Sequence, residues 1–252
     1  METREALLET LLRTADDHLI LGHRLSEWCG HAPLLEEDLA LPNIALDLLG
    51  QARALYTYAG SIEGRGRDED AFAYLRSERE YHNLLLVERP IGDFGHTVLR
   101  QLFFSVFMEL WWGRALSSSD ETLAGIAAKA VKESAYHVRH AAEWVIRLGD
   151  GTDESARRMA DAMDDLAPYV DEMFRTDTVS ETAGAAGIAP SPGALRADWD
   201  ARIDAILEEA CLELPPKVWP VTGGRDGRHG EEMGHLISEL QYLQRAHPGA
   251  TW

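Results

Sequence analysis

The chain is 252 residues long, with 24 Lys plus Arg against 43 Asp plus Glu and a net charge of −19, a balance that argues against nucleic acid as a partner. Its two cysteines, Cys29 and Cys211, stand far apart, so neither a disulfide framework nor a C-x-x-C motif is on offer and a reduced, cytoplasmic setting is expected. No run approaches the ~18 uninterrupted apolar residues of a membrane span, and the N-terminus METREALLETLLRTADD lacks the apolar core of a signal peptide.

Apolar residues recur at helical spacing almost throughout, which predicts an all-α fold. The first helix is expected from about Thr3 to Cys29, with Leu8, Leu12, Ala15 and Leu19 on one face and Gly30 and Pro33 as stops. A second is expected from about Leu35 to Ala59, with Ile44, Leu48, Ala52 and Leu55 inward, Gly60 as its end and Pro42 as a kink or restart. The polar run SIEGRGRDED reads as a loop leading into a helix from about Ala71 to Leu86.

From Phe94 to Leu116 the sequence is apolar almost all round, so this helix is either buried on most sides or covered by another protein chain. Phe103, Phe104, Phe107, Trp111 and Trp112 are accordingly candidates for partner burial, with the chain's own core as the equal alternative. Asp120 or a neighbouring serine caps a long helix ending at Gly149, and a further helix spans about Asp153 to Phe174. The small-residue run TVSETAGAAGIAPSP, 178–192, reads as a linker. Two shorter helices follow, about Gly193–Glu213 and Glu231–Ala246, separated by the turn-rich PPKVWPVTGGRDGRHG. Residues 1–252 are thus expected to form one domain, a ferritin-like long helical bundle wrapped by a linker and C-terminal helices at 178–252. A 25-residue helix reaches about 37 Å, a length that suits a bundle holding a cofactor midway.

A di-iron bundle needs a carboxylate from each of two helices and Glu-x-x-His from each of the other two, because positions i and i+3 share a face. The one literal Glu-x-x-His is Glu232 to His235, in the C-terminal helix; Asp93/His96 and Asp226/His229 lie at loops or helix starts. In the second helix Asp47 is followed at i+3 by Gly50, and in the Asp120-capped helix Glu133 is followed by Tyr136, with His137 one position late. The first helix offers Asp17 and His18, and the apolar helix only Ser105 or Glu109. No catalytic, cofactor or metal site is therefore expected; Asp17, Asp47, Glu133 and His137 are the vestigial positions should one ion bind. The plainer expectation makes Asp47 with Gln51, and Glu133 with His137, buried polar pairs satisfied by one another or by water across the bundle.

Four stretches carry a family resemblance: LSEWCGHAPLLEEDLALPNIALDLLGQARALYTYA (25–59), SEREYHNLLLVERPIGDF (77–94), AAKAVKESAYHVRHAAEWVIRLGDGTDES (127–155) and TGGRDGRHGEEMGHLISELQYLQRAHPGATW (222–252). They resemble the PaaC family, the structural subunits of the ring-1,2-phenylacetyl-CoA epoxidases, in order and from the first helix to the last residue. The resemblance implies a ferritin-like protein that packs against a catalytic sister of the same fold, which holds the di-iron centre and phenylacetyl-CoA. A small bridging subunit and a reductase complete the expected hetero-oligomer, a monooxygenase complex of aerobic phenylacetate breakdown. The competing reading is a metal-binding ferritin-like oxygenase or ferroxidase acting alone; a helical binding protein without a sister chain is another.

Overall fold

The computed structural model describes residues 1–215 and 218–250, and among these every regular element is helical. Two long hairpins form the body. The first pairs α1 (Thr3–Ser26) with α2 (Leu35–Glu63), and the second pairs α5 (Phe94–Ala115) with α6 (Glu121–Gly149). Around them run α3 (Glu69–Tyr74), α4 (Leu85–Glu88), α7 (Asp153–Leu166), α8 (Thr178–Ala185), α9 (Arg196–Glu209), α10 (Glu231–Leu240) and α11 (Tyr242–Ala246), with short 3₁₀ turns between. The all-α, ferritin-like reading holds.

Several boundaries differ from expectation, each for a physical reason. Helix α1 ends at Ser26, short of Cys29. Helix α2 does not restart at Pro42, and it runs past Gly60 to a left-handed cap at Gly64 with φ of 72°. Gly60 serves proximity instead: a β-carbon there would lie 2.3 Å from the Arg67 carbonyl oxygen. The expected helix 71–86 is broken into α3, a 3₁₀ turn at Glu78–Glu80 and α4, because carboxylates of α1 claim its amides: Asp16 accepts from His82 N and Asp17 from Leu84 N, both at 2.7 Å. The helix expected to Phe174 ends at Leu166 and gives way to 3₁₀ turns around and beyond Pro168.

The stretch expected as linker holds α8. Asp177 caps it by accepting from Ser180 N, Val179 and Ala183 are buried, and Arg13 of α1 meets Asp177 at 2.7 Å. Pro216 and Lys217 of the turn-rich run, and the final Thr251 and Trp252 of the resemblance, lie outside the described residues.

The aromatics of α5 are internal. Phe103, Phe104, Phe107, Trp111 and Trp112 are all at most 5 % exposed within the single chain. Trp199 of α9 packs on Phe103, Phe174 meets Phe107 edge-on, and His18 of α1 sits against Phe104 and Trp112. Trp199 Nε1 also donates to the Phe103 carbonyl at 3.0 Å. The partner-burial expectation for these five side chains is therefore corrected: α9, the 171–174 turn and α1 already cover them, and each contributes roughly 2–3 kcal/mol of burial to this chain's own core.

Candidate functional site

The middle of the bundle is where a ferritin-like fold would hold its metals, so its polar side chains are the first candidates. Helices α2 and α6 run antiparallel there and are joined by polar bridges. His137 Nε2 lies 3.1 Å from Asp47 Oδ2, Gln51 Nε2 donates to Glu133 Oε2 at 2.8 Å, and His140 Nε2 lies 2.8 Å from Glu37 Oε2. The two expected polar pairs thus meet one another across the seam. Residues four apart on one helix project side by side, so each finds its partner on the opposing helix. Lys129 Nζ, 3.2 Å from Glu133 Oε1, adds a cation from the solvent side.

Helix α1 does not send its carboxylate into this seam. Asp17 turns to Arg225, with Oδ2 2.7 Å from Nη2 and Oδ1 3.0 Å from Nη1. Burial pushes the Asp17 carboxyl up to about 6, opposed by the Arg225 guanidinium and the Leu84 amide. Its neighbour His18 is the α1 residue that lies near the seam. The His18 Nδ1 sits 2.6 Å from the Thr14 carbonyl, which fixes the proton on Nδ1 and leaves Nε2 as a lone-pair acceptor. That Nε2 is buried without a partner, as is Gln51 Oε1. Burial lowers the His18 imidazole to about 4, and His137 reinforces this, so the ring is neutral.

Helix α5 offers no bridging carboxylate at this depth. Ser105 accepts from Gln101 Nε2 at 2.8 Å, and Glu109 is engaged by Arg202. The donor set does not fit a di-iron centre, which needs carboxylates from all four helices and an imidazole for each metal. Of the four vestigial positions, Asp47, Glu133 and His137 share the seam as members of two separate pairs, and Asp17 leaves it. Among the described residues no group of three or more His, Cys, Asp or Glu is placed to hold a metal ion. The i+3 positions are filled by Gly50 and by Tyr136, which is 39 % exposed and so lies on the outer side of α6. The literal Glu232/His235 pair sits at the start of α10, outside the four long helices.

The more elaborate polar constructions lie outside the seam and went unread in the sequence. Asp16, fully buried, is clasped by Arg76 and Tyr56. Arg76 lies over the Tyr81 ring, 4.1 Å to its centroid, and Gln241 of the C-terminal segment donates to the Arg76 carbonyl at 2.9 Å. Glu172 accepts from the amides of Leu85, Gly223 and Gly224 at 2.7–2.9 Å. Glu88 accepts from Gly230 N and faces His229 Nδ1 at 2.8 Å. Burial opposes the charged form of His229, but Glu88 and the Tyr81 carbonyl outweigh it and raise the imidazole above its ordinary range. The run GGRDGRHG is therefore a strap held by Asp17, Glu88 and Glu172. Its glycines are required: a β-carbon on Gly224 would fall 2.0 Å from Asn83 O, and Gly227 has φ of 68°. The only sequence signals were the acidic DDH run inside α1 and the glycine spacing, which marks a turn without marking what binds it.

The family model described as phenylacetic acid catabolic protein matches residues 1–252. The C subunit of the 1,2-phenylacetyl-CoA epoxidase of Escherichia coli (strain K12) is 46% identical over 241 residues, covering 96% of this chain and 97% of that protein.

Proposed function

The chain belongs to the phenylacetic acid catabolic protein family, and from that premise we propose that it is the non-catalytic structural subunit of a phenylacetyl-CoA 1,2-epoxidase, supporting a di-iron catalytic sister in aerobic phenylacetate breakdown. The end-to-end identity with a protein named as the C subunit of such an epoxidase carries the reading. The bundle supports it: its mid-helix carboxylates and imidazoles are taken up in pairs across one seam, a donor set suited to fixing helices rather than to exchanging oxygen ligands. In this reading the iron and the substrate chemistry belong to the catalytic sister, and the small bridging subunit and the reductase join through the complex. A cytoplasmic setting accords with this assignment; among the described residues no helix is long and apolar enough to cross a membrane.

The physical role follows from rigidity. A catalytic bundle must hold its helices while its ligands shift, and a partner whose core is locked by aromatic packing and buried ion pairs provides a stiff wall. The test is reconstitution. The catalytic sister, the bridging subunit and the reductase are assayed for epoxidation of phenylacetyl-CoA with and without this chain. Turnover that depends on the chain, with no turnover and no stoichiometric iron when the catalytic sister is omitted, is the expected result. Two irons in the isolated chain with an oxygen-dependent absorption band would instead make it an oxygenase or ferroxidase in its own right.

A further inference from the structure

A guanidinium carries a full charge and several N–H groups, so a protein interior accepts it only where a carboxylate, carbonyl oxygens or an aromatic face compensate it. Arg76, 4 % exposed, has all three: the Asp16 carboxylate, the Phe72 and Glu80 carbonyls and the Tyr81 ring. Arg24 of α1 reaches the Glu27 carboxylate at 2.8 Å and places both Nε and Nη2 on the Glu88 carbonyl. Arg100 of α5 is buried more deeply than either, at 0 % exposure, and its surroundings differ. Its Nη1 donates to the carbonyls of Arg89 and Pro90, the latter at 3.2 Å. Its Nε and Nη2 are buried without an acceptor. Among the described residues Arg100 has no carboxylate within ion-pair distance and no aromatic ring against it, whereas its neighbours Arg24 and Arg89 have Glu27, Asp165 and the Tyr169 ring.

The charged neighbours sharpen the contrast. Arg24 and Arg89 act on Arg100 with the same sign, and Glu27, which attracts it, is held by Arg24. Arg89 and His96, which also feel its charge, are both turned to Asp165, at 3.3 and 2.7 Å. Burial, reinforced by Arg24 and Arg89 and opposed by Glu27, pushes the guanidinium down to about 9, still high enough to keep it charged at neutral pH. The two orphan donors share one side of the group. Nε–H and the Nη2–H beside it lie in one plane and point the same way, the fork that takes both oxygens of a carboxylate-shaped anion. Both atoms are shut off from the surface, so a side chain of another protein does not reach them. A free ion of a few atoms enters by local opening of the partly exposed turn at 89–92, whose carbonyls hold Nη1.

We infer that Arg100 is the centre of a buried anion site, which takes a small planar oxyanion of formate or bicarbonate size side-on to Nε and Nη2. The anion supplies the counter-charge that the chain itself does not, and it ties the end of α1, the 89–92 turn and α5 together. The inference stands apart from the function proposed above. The experiment titrates the full chain with sodium formate at constant ionic strength, balanced with gluconate, which is too large for an enclosed site. Isothermal calorimetry reads Kd and stoichiometry, and urea unfolding reads the midpoint. The wild type is compared with Arg100→Lys, which keeps the charge and loses the fork, with Arg100→Met, which removes both, and with Arg157→Met as a control on an exposed arginine.

The wild type is expected to bind one formate per chain, with a urea midpoint that rises with formate concentration once the site begins to fill. Arg100→Lys should bind at least about tenfold more weakly, because an ammonium does not present the paired donors. Arg100→Met should show no saturable response, and Arg157→Met should respond as wild type does. A wild type whose heats and midpoint are the same in formate and gluconate would overturn the site, and so would an Arg100→Met variant that responds like wild type. Chloride binding as tightly as formate would overturn the assignment to a planar oxyanion. Should both Arg100 variants fail to fold, the wild type decides through calorimetry and the spectrum of 15N-arginine-labelled protein. There a buried Nε–H resonance is expected to move with formate at the calorimetric Kd, and a spectrum in which none moves would overturn the inference.

Discussion

Two regions of this molecule are built from the same residue types and behave differently. In the strap region, Asp16, Asp17, Glu88 and Glu172 are each buried and each bound by guanidinium groups, backbone amides or a histidine. In the α2–α6 seam, Asp47, Glu133 and His137 make one side-chain bridge each across the seam, and His18 Nε2 and Gln51 Oε1 have no partner. The first region has the polar density of a functional site, yet it serves to fix a C-terminal segment to the bundle. The second stands where a metal centre would stand and makes only simple cross-links. A buried carboxylate is therefore informative only through its counter-groups.

Breaking the buried carboxylate clusters outside the seam should cost most. Arg76→Ala leaves Asp16 buried beside Tyr56 without its cation, and the loss expected is about 4 kcal/mol, read as a lower denaturant midpoint. Glu172→Ala strands three backbone N–H groups at once and is expected to cost about 3 kcal/mol, with faster proteolysis in the 222–230 segment as its local signature.

The next effect separates the regions by pH. His18 has a folded-state value of about 4 against an ordinary 6.5, so its contribution to stability is complete above 6.5 and is lost as pH falls from there towards 4. Asp17 has the opposite sign: its value is raised to about 6, so its contribution grows as pH falls through 6. Comparing wild type with His18→Leu isolates the first. Between pH 7 and pH 5 the wild type should lose about 2 kcal/mol more than the variant does, measured by urea unfolding at each pH. Equal pH dependence of the two proteins would contradict the burial of a neutral His18. Smallest of all should be Gln51→Leu in the seam, at about 1 kcal/mol in the same urea measurement, since it removes one bridge to a Glu133 that keeps Lys129.

The long helices were legible in the sequence because their apolar spacing is sustained, as in Leu48, Ala52 and Leu55 of α2 and Ala127, Ala130 and Ala141 of α6. The defective ligand pattern was legible too, because Gly50 and Tyr136 stand at fixed offsets where the motif needs histidine. What stayed hidden depends on contacts between residues distant in the chain. Nothing local tells that Asp17 prefers Arg225, 208 positions away, to the bundle centre. Nor does α5 declare whether its aromatics face another chain or Trp199, since both surroundings select the same residues. Helix α8 was disguised by small residues whose helix start is set by the Asp177 cap and by docking on α1.

A bundle that serves a metal-dependent complex without carrying its metal chemistry should tolerate the loss of every donor in its seam. The direct measurement is the iron content and phenylacetyl-CoA turnover of the complex with the catalytic sister when this chain carries Asp47→Asn, Glu133→Gln and His137→Gln together. Iron and turnover equal to wild type are expected. A loss of iron or of turnover from an intact complex would contradict the structural role and return the seam to the catalytic machinery.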